Sequence, residues 1–422
     1  MIKVLAAIVV PPHMSVSGGA RAAELLSSAL TSSCDVTVAS MMGGEGLLAS
    51  PQDSLPKRAE VECWLPPLVP WSKLHGRYST LFYRSSLPRI IRDGDFDIVH
   101  IHNPLPALEM ERVARACLAK KIPYVVSTHG FNEVANGGSV YGFGTLQRLA
   151  WQQLVVAPVS RVVAKAGGMF ALSQADFDIV RNMGFVGDEL SVVTNGVALP
   201  DPITPEDAAS RLASLGIPAA SNSAVPTFMF LGNHTPNKGL PVLLEAFDSI
   251  EDPFLLIVGG EKRPDVDYDR YTRNRAPQQK IVITGRLSDD QVAAAFARTD
   301  LFVFPTLADT FPLVVLEAMA SATPVLATRV GGIPHQIDDA TGELVQPGDV
   351  VGLRKAVERL MRQPDKLAEM GRAAYQRASQ EFSWAKAAND ALRAYQRILS
   401  EEPSRRTDQQ LSNVHQGLQA SN

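Results

Sequence analysis

Runs of apolar, β-branched residues alternate with helix-like stretches along most of the chain. The apolar run at residues 2–10 precedes a helical pattern at 18–30, and the run at 96–102 precedes one at 105–120. Further runs follow at 122–129 and 167–173, and the second of these leads into another helical pattern. Continuous apolar strands separated by helices are typical of a parallel sheet that is covered on both faces. The run at residues 2–10 stops at a Pro-Pro pair, so we interpret it as a first buried strand and not as a signal peptide.

The alternation pauses at residues 201–225, which are rich in Pro, Ser and Ala, and then restarts with strand-like runs from residue 227. We therefore predict an α/β protein with two doubly wound domains, 1–200 and 226–382, that face a central cleft and are joined by a linker at 201–225. An amphipathic helix is predicted at 383–399, and the tail at 400–422 is predicted to be disordered. Ligands of such sheets bind beyond the carboxyl ends of the strands.

The composition of the chain gives no indication of nucleic-acid binding, a disulfide framework or a membrane span. The chain has 422 residues with a net charge of −4, so no overall basic character indicates nucleic acid. Cys34, Cys63 and Cys117 are widely spaced and are interpreted as reduced thiols. No apolar run approaches the roughly 18 residues that a membrane span needs. We expect a cytoplasmic protein.

Asp309 and Glu317 are two carboxylates in the apolar stretch 308–335. A strand predicted at 301–305 and a helix predicted at 311–321 place Asp309 in the intervening turn and Glu317 on the helix, with Pro312 in its first turn. Eight residues at about 1.5 Å each separate their backbones by up to about 12 Å, which suits two contacts to one extended ligand with a phosphate at the helix start. The alternative is a helix N-cap and a solvated glutamate, but the helix is predicted to be buried nearly all round.

Lys238 precedes the helical pattern that follows the strand at 227–231. A cation at a helix start opposes the helix dipole, and a bound anion would resolve that conflict. In the first domain Gly18-Gly19 lie between a strand and a helix, where a ligand could approach the backbone, although a plain tight turn is an equal alternative. His129 ends a strand and is a candidate for the same cleft, with a structural role as the alternative.

The order of several motifs resembles the retaining glycosyltransferases of family 4, which have the GT-B fold. The motifs are Gly18-Gly19, "THG", "LSQAD", "TNGV", "NKG", "LLEAF", "DTFPLVVLEAMASATPVLAT" and "VGG". The resemblance extends from about residue 1 to residue 399, and "FSWAKAA" resembles the closing helix that crosses back to the first domain. It implies two Rossmann-like domains, an N-terminal one for the acceptor and a C-terminal one for a nucleotide sugar.

The resemblance also implies the chemistry: transfer of a sugar from a nucleotide diphosphate sugar with retained anomeric configuration, no metal requirement and no cofactor. It assigns Asp309 to donor-sugar hydroxyls, Glu317 to the ribose, and Lys238 to the diphosphate. It further assigns Gly19 to the phosphate and His129 to the donor sugar. The implied catalytic residues are Asp309, His129 and Lys238. The implied donor-binding residues are Gly19, Gly232, Asn233, Lys238, Arg286, Asp309, Thr310, Phe311, Pro312, Leu313 and Glu317.

Four positions depart from the family pattern. Asn233 replaces an arginine, and Arg286 is a candidate substitute, with a solvated surface arginine as the alternative. Pro312 removes one N–H group that could meet a phosphate, and His335 stands where glutamate is usual. Asp309 is one carbon shorter than the usual glutamate. Because a fixed donor to developing charge is worth about 3–4 kcal/mol, the missing arginine should strongly reduce turnover.

We therefore predict a retaining hexosyltransferase that uses a UDP- or GDP-sugar and a glycan, lipid-linked or small-molecule acceptor. The alternative is a non-catalytic sugar-nucleotide-binding protein of the same fold. A basic, aromatic segment at residues 63–92 could contact anionic lipid at the inner membrane face, or it could be a solvated helix with one face on the core. Asp95-Phe96-Asp97 resembles a metal-binding D-x-D but precedes its strand, at the wrong end for the cleft. His100 and His102 share one strand face, where structural or acceptor-side roles are favoured over metal binding.

Overall fold

The computed structural model describes residues 1–12, 18–42, 55–67, 80–218, 225–273 and 275–400. The chain divides into two compact units. The first comprises Met1–Ala135, Gly144–Thr194 and the chain from Trp384 onward, and the second comprises Asn136–Phe143 and Asn195–Ser383. Beyond Ser400, the predicted tail lies outside the described residues.

A parallel sheet forms the centre of the first unit. Its strands within the described residues are β1 (Ile2–Ile8), β2 (Cys34–Ser40), β3 (Lys57–Ala59), β6 (Ile98–His102), β7 (Tyr124–Ser127), β8 (Gly168–Ala171) and β9 (Leu190–Val192). The order is β3-β2-β1-β6-β7-β8-β9, and β4 (Cys63–Trp64) pairs separately with β5 (Arg84–Ser85) in antiparallel fashion. Because the chain reverses its direction of winding between β1 and β6, their carboxyl ends form the switch point where ligands of such sheets bind.

Helices cover this sheet. They are α1 (Gly18–Leu30), α2 (Leu87–Asp93), α3 (Ala107–Lys120), α4 (Phe131–Val140), α5 (Thr145–Trp151), α6 (Ala157–Val163) and α7 (Asp176–Asn182), with a π-helical turn at Gln152–Val156 and a 3-10 turn at Thr80–Phe82. The residues of α4 from Asn136 onward are counted with the second unit. All five residues of β6 are buried, as expected for a central strand covered on both faces.

The second unit contains another all-parallel sheet. Its strands are β10 (Thr227–Leu231), β11 (Phe254–Gly259), β12 (Gln279–Gly285), β13 (Leu301–Phe304), β14 (Val325–Thr328) and β15 (Gly342–Val345). The order is β12-β11-β10-β13-β14-β15, so the switch point lies between β10 and β13. Two doubly wound α/β units were predicted from the sequence, and this topology confirms them.

The helices of the second unit complete its two outer layers. They are α8 (Pro205–Leu212), α9 (Leu240–Asp248), α10 (Asp269–Thr272), α11 (Asp289–Phe296), α12 (Leu313–Ala320), α13 (Ile333–Gln336), α14 (Val350–Leu360) and α15 (Pro364–Glu381), with 3-10 turns at Ala213–Leu215 and Pro236–Lys238. Phenylalanine rings fill much of the core between the layers. Those in edge or stacked contact include Phe228, Phe247, Phe254, Phe296, Phe302 and Phe304.

The predicted linker at 201–225 differs from what the structure contains. Residues 205–212 form α8, whose first turn is capped by Thr204 Oγ1, which accepts a hydrogen bond from the Asp207 N–H at 3.2 Å. Arg211 of α8 lies 3.7 Å from Asp290 of α11. A threonine cap followed by proline is a helix-start signal, and the composition of the segment obscured it.

The last helix, α16 (384–400), belongs to the first unit. Tyr395 Oη lies 2.7 Å from His100 Nδ1, and Arg397 makes two contacts to the Glu189 carboxylate at 2.6 and 2.8 Å. Tyr395 is fully buried. The closing helix predicted at 383–399 therefore does return to the first unit.

Candidate active site

Lys238 lies beyond the carboxyl end of β10, at the switch point of the second sheet. Its neighbour Asn237 ties this loop to the chain after β13, because the Asn237 carbonyl accepts hydrogen bonds from Leu307 N–H at 2.7 Å and Thr306 Oγ1 at 2.8 Å. Gly239 follows with a φ of +71°, and a Cβ there would collide with the Pro305 carbonyl. The two loops therefore pack backbone against backbone, which fixes the root of the Lys238 side chain.

Asp309 lies in the chain after β13, on the other side of the switch point. The segment after β14 supports it: a Cβ at Gly331, whose φ is +51°, would collide with the Asp309 carbonyl oxygen. The Gly332 N–H donates to the Thr310 carbonyl at 2.6 Å. Because only glycine fits at 331, the turn that carries Asp309 rests directly on the backbone below it.

Lys238 and Asp309 form an ion pair. Lys238 Nζ lies 2.5 Å from Asp309 Oδ2, and the two side chains are 24% and 15% exposed. Lys238 Nζ also lies 5.7 Å from the centre of the Phe304 ring. The sequence suggested that Lys238 needs an anion because it opposes a helix dipole. The structure instead places Lys238 in a 3-10 turn ahead of α9, with Asp309 as its counter-ion.

The start of α12 is the third part of this region. The helix begins at Leu313, so Pro312 is its N-cap and not a residue of its first turn. Two side chains fix the backbone that leads into α12: Asn195 Nδ2 donates a hydrogen bond to the Phe311 carbonyl at 2.9 Å, and Gln336 Nε2 donates one to the Pro312 carbonyl at 3.0 Å. Helix N–H groups of a first turn lack intrahelical partners and attract anions.

Glu317 lies one turn further along α12. The prediction that this helix is buried nearly all round is wrong at one face, where Leu313, Val314 and Glu317 are only half-buried. Residues three and four positions apart share a helix face, so these side chains form a single stripe. Thr310 and Phe311, at 5% and 3% exposure, are buried and contribute mainly backbone here.

Of the other residues predicted to bind the donor, Gly232 and Asn233 lie in the Lys238 loop, whereas Arg286 does not. Gly232 lies beside Lys238, since a Cβ on it would be 3.9 Å from Lys238 Cγ, and Asn233 is half-buried in the same loop. Arg286 follows β12, at the edge of the sheet, and its guanidinium lies 3.1 Å from Glu261, with both side chains at least half exposed. The structure thus pairs Arg286 with Glu261 and does not bring it to the Lys238–Asp309 pair.

His234 is a residue of this loop that the sequence reasoning missed. Its side chain is 2% exposed, and its Nδ1 lies 2.6 Å from Tyr268 Oη. Tyr268 Oη also accepts the Arg263 N–H at 3.0 Å, so the chain after β11 is tied to the Lys238 loop. Burial lowers the pKa of His234. Its position directly after Asn233 was the signal that could have drawn attention to it.

Gly19, Asn103 and His129 meet at the switch point of the first sheet. A Cβ on Gly19 would collide with Asn103 Nδ2 and would lie 3.2 Å from His129 Cβ, so the side chains of Asn103 and His129 pack closely against position 19. Asn103 has a φ of +67°, and its buried Oδ1 has no hydrogen-bond partner among the described residues. Gly18 and Gly19 are the first residues of α1 and not a separate turn.

His100, His102 and His129 form a buried histidine stack. The ring centres of His100 and His102 are 3.8 Å apart, and those of His102 and His129 are 5.9 Å apart. His100 is bonded on both nitrogens, to Tyr395 Oη and Ser127 Oγ, each at 2.7 Å. Burial lowers the pKa of His100 to about 3 and of His129 to about 4, and it lowers the pKa of His102 well below its usual value. The stack is therefore uncharged at neutral pH.

Asp176 is a second functional candidate that the sequence reasoning missed, although its motif "LSQAD" was noted. It is 1% exposed at the start of α7, and its Oδ2 accepts a hydrogen bond from Thr128, the neighbour of His129. Burial raises the pKa of Asp176 to about 6, although hydrogen bonds from Thr128 and the backbone oppose the shift. A buried carboxylate beside a candidate residue was not visible from spacing alone.

Asp95 and Asp97 lie at the amino end of β6 and are bound by Lys3. Lys3 Nζ lies 2.6 Å from Asp95, and the Lys3 N–H donates to Asp97 at 2.8 Å. These contacts explain both acids without a metal. Among the described residues, no group of three or more His, Cys, Asp or Glu side chains is arranged to hold a metal ion.

The segment at 63–92 is described only in part. Trp64 is 43% exposed in β4, and Arg89 forms an i,i+4 pair with Asp93 at 3.4 Å. Lys73 and Arg77, which contributed to the predicted lipid contact, lie outside the described residues. Within the part of the chain that the structure describes, no helix has the length and apolar character to cross a bilayer.

Two family models match the chain, one on each unit. The model of glycosyl transferases group 1 matches residues 218–377, which include Lys238, Asp309 and Glu317. The model of Glycosyltransferase Family 4 matches residues 16–199, which include Gly19 and His129. Their extents follow the division between the two sheets.

Individual proteins of known sequence or structure are also similar to this chain. The phosphatidyl-myo-inositol mannosyltransferase of Mycobacterium leprae (strain TN) is 30% identical over 328 residues, which are 75% of this chain and 77% of that protein. Sucrose-phosphate synthase from Thermosynechococcus elongatus superposes with a TM-score of 0.69 at 19% identity, over 94% of this chain and 99% of that chain. Anabaena HepE in complex with UDP-glucose gives a TM-score of 0.66 at 17% identity, over 96% and 100%. These two structural likenesses establish the fold.

Proposed function

Because the chain belongs to the group 1 glycosyltransferases of family 4, we propose that it moves a hexosyl unit from a nucleotide diphosphate sugar to an acceptor with retained configuration. The observation that carries the donor half of this proposal is the Lys238–Asp309 ion pair at the switch point of the second sheet. A cation and an acid that reach the same point from different strands suit a ligand with both a diphosphate and sugar hydroxyls.

The diphosphate is the leaving group, and its charge must be balanced as the glycosidic bond breaks. Lys238 supplies a full positive charge, and the first turn of α12 supplies free N–H groups and the positive end of a helix dipole. Electrostatic stabilisation of this kind is often the largest single contribution to catalysis. We therefore propose that Lys238 and α12 act in place of a metal ion, with no cofactor.

Asp309 and Glu317 would bind the two ends of the donor. Asp309 accepts hydrogen bonds from sugar hydroxyls, and Glu317, on the half-buried stripe of α12, accepts them from the ribose. The family resemblance implies that the acceptor attacks from the face that the diphosphate leaves, which retains the configuration. His129, uncharged because burial lowers its pKa to about 4, would act as a hydrogen-bonding group to the donor sugar and not as a cation.

The relatives guide the choice of donor and acceptor. HepE was solved with UDP-glucose, and the Mycobacterium leprae relative is named for mannosyl transfer to phosphatidyl-myo-inositol. We propose a UDP- or GDP-hexose as donor and a glycan, a lipid-linked acceptor or a small molecule as acceptor. If the acceptor is lipid-linked, we also propose that residues 63–92 contact an anionic membrane surface.

The experiment is a donor screen. The protein is incubated with UDP-, GDP- and ADP-sugars, and release of the nucleoside diphosphate is measured. We expect release with one class of donor and its loss in Asp309→Asn and Lys238→Ala. Lys280→Ala, which removes a lysine at the amino end of β12, is the matched control and should keep full activity. Tight donor binding without release in any mixture would instead identify a sugar-nucleotide-binding protein.

A second experiment addresses the missing arginine. Asn233→Arg should raise turnover, because a fixed donor to developing charge is worth about 3–4 kcal/mol in the transition state. Thr235→Arg adds the same charge to the same loop and is the control. If Arg286 were the substitute, Arg286→Ala would reduce turnover strongly. We expect only a small effect, since its guanidinium is paired with Glu261.

A further inference from the structure

Asp176 connects two strand ends of the first sheet. Its Oδ2 accepts hydrogen bonds from Thr128 Oγ1 at 2.6 Å, after β7, and from the Leu172 N–H at 3.0 Å, after β8. Thr128 Oγ1 in turn accepts the same Leu172 N–H at 3.1 Å. These three groups form a closed, buried triangle, with Thr128 at 0% and Asp176 at 1% exposure.

The second carboxylate oxygen of Asp176 adds a free-energy cost to this link. Asp176 Oδ1 is buried and has no hydrogen-bond partner among the described residues, and the same is true of Ser173 Oγ. Burying an ionised carboxylate with one unsatisfied oxygen is unfavourable, and here it raises the pKa of the group to about 6. A carboxylate held at this free-energy cost indicates that the link does more than join two strand ends.

The link controls the turn that carries His129. The Thr128 N–H donates to the Phe170 carbonyl and the Phe131 N–H donates to the Thr128 carbonyl, both at 3.0 Å. The His129 ring stacks on His102 at 5.9 Å, but no hydrogen bond from the described residues reaches it. The orientation of His129 therefore depends on its backbone, and Thr128 is where a side chain fixes that backbone.

We propose that Asp176 is a positioning residue that acts through Thr128 to hold His129 in the orientation that glycosyl transfer requires. This inference rests on the proposed function, in which His129 contacts the donor sugar. The hydroxyl of Thr128 and the charge of Asp176 form one unit, so loss of either should displace His129 in the same way.

The kinetic test compares Asp176→Asn and Thr128→Val with the wild-type enzyme. We expect each variant to lower kcat by about 10- to 100-fold while KM for the donor changes little, because small displacements of a reacting group have effects of this size. Thr128→Ser keeps the hydroxyl and should retain activity. Asp178→Asn changes an exposed acid on the same helix and is the matched control.

A double-mutant cycle with His129→Ala separates positioning from general structure. If Asp176 acts through His129, Asp176→Asn should cause no further loss of kcat in the His129→Ala background. Equal losses in both backgrounds would overturn the proposal. If Asp176→Asn does not fold, the Thr128→Val and Thr128→Ser pair supplies the same cycle.

A second readout does not depend on turnover. The ring resonance of His129, assigned by its absence in His129→Ala, is compared by NMR in the wild-type and variant proteins. Asp176→Asn and Thr128→Val should shift it, while Thr128→Ser and Asp178→Asn should not. An unchanged resonance in Asp176→Asn would overturn the proposal even if activity falls. Absence of any donor turnover in the wild-type protein would refute the proposed function and leave this arm of the test intact.

Discussion

The ion pair between Lys238 and Asp309 has a measurable consequence for donor binding under the proposed function. Lys238 Nζ lies 2.5 Å from Asp309 Oδ2, so a donor diphosphate must share or displace this carboxylate. Asp309 also repels the phosphate charge. We therefore predict that Asp309→Asn binds a free nucleoside diphosphate more tightly than the wild-type protein, although the same substitution should abolish transfer.

The size of the effect follows from the burial and geometry of the pair. A hydrogen bond between charged groups contributes about 1.5–3 kcal/mol. The two side chains are 24% and 15% exposed, so some of this is lost to solvent screening. A net gain of about 1–2 kcal/mol corresponds to a roughly 5- to 30-fold tighter nucleoside diphosphate.

The assay is calorimetric titration with UDP, GDP and ADP in the absence of any sugar. Lys238→Met should weaken binding, and Asp309→Asn should give a smaller gain in the Lys238→Met background, because only the relief of charge repulsion remains once the lysine is absent. Asp338→Asn removes a negative charge elsewhere in the second unit, where Arg377 pairs with it, and is the matched control. Higher salt should reduce the difference between wild type and Asp309→Asn.

Asp309→Asn would contradict this prediction if it bound nucleoside diphosphates no more tightly than the wild-type protein while Lys238→Met still weakened their binding. That result would mean that the ion pair persists in the complex and that Lys238 contacts phosphate without leaving Asp309. An unchanged affinity in Lys238→Met would go further and remove the lysine from the diphosphate site.

Three other outcomes are expected. The free energy of unfolding should fall on acidification below about pH 6.5, because the three histidines of the stack are uncharged in the folded protein and each gains a proton on unfolding. The limiting slope is about 4 kcal/mol per pH unit, and it is reduced because folded Asp176, whose pKa is raised, takes up one proton. Denaturant titrations at several pH values measure this slope, with the exposed His335→Gln as control. Gly331→Ala should lower thermal stability far more than Gly216→Ala, since both have positive φ but only the first would meet a backbone carbonyl; equal effects would show that φ alone matters. Tyr395→Phe should destabilise the protein by about 1–2 kcal/mol in denaturant titrations because a buried imidazole nitrogen loses its partner, whereas no change would mean that water replaces the hydroxyl.

The sequence was most informative where strands end. Continuous apolar runs predicted two parallel sheets, and Lys238, Asp309 and His129 each follow such a run, so their places beyond the carboxyl ends were predictable. The contact between Lys238 and Asp309 was not, because these residues are 71 positions apart and meet only through the strand order. The sequence therefore suggested a lysine that needs an external anion, where the structure provides an internal one.

Other features depend on packing that no local pattern reveals. The spacing of His100 and His102 predicted a shared strand face, but their lowered pKa values arise from burial, and His100 is also bonded to Tyr395 of the last helix. Asp176 falls in a recognised motif, yet its hydrogen bond to Thr128 spans 48 positions and two strands. The helix in the predicted linker was missed for the opposite reason, since its local capping signal at Thr204 was outweighed by composition.

The charges around the second switch point explain how this site could work without the usual arginine. Lys238 contributes one positive charge, and Asp309, whose Oδ2 lies 2.5 Å from its Nζ, balances it. Under the proposed function, Asp309 exchanges Lys238 for sugar hydroxyls, and the full charge of the lysine then becomes available to the phosphate. Under the same proposal, a ligand that carries both a diphosphate and sugar hydroxyls replaces the ion pair with a partner for each of Lys238 and Asp309. Such a site binds an intact nucleotide sugar more tightly than the released nucleoside diphosphate, and this difference would assist product release. The site lacks the transition-state stabilisation that an arginine at position 233 would add.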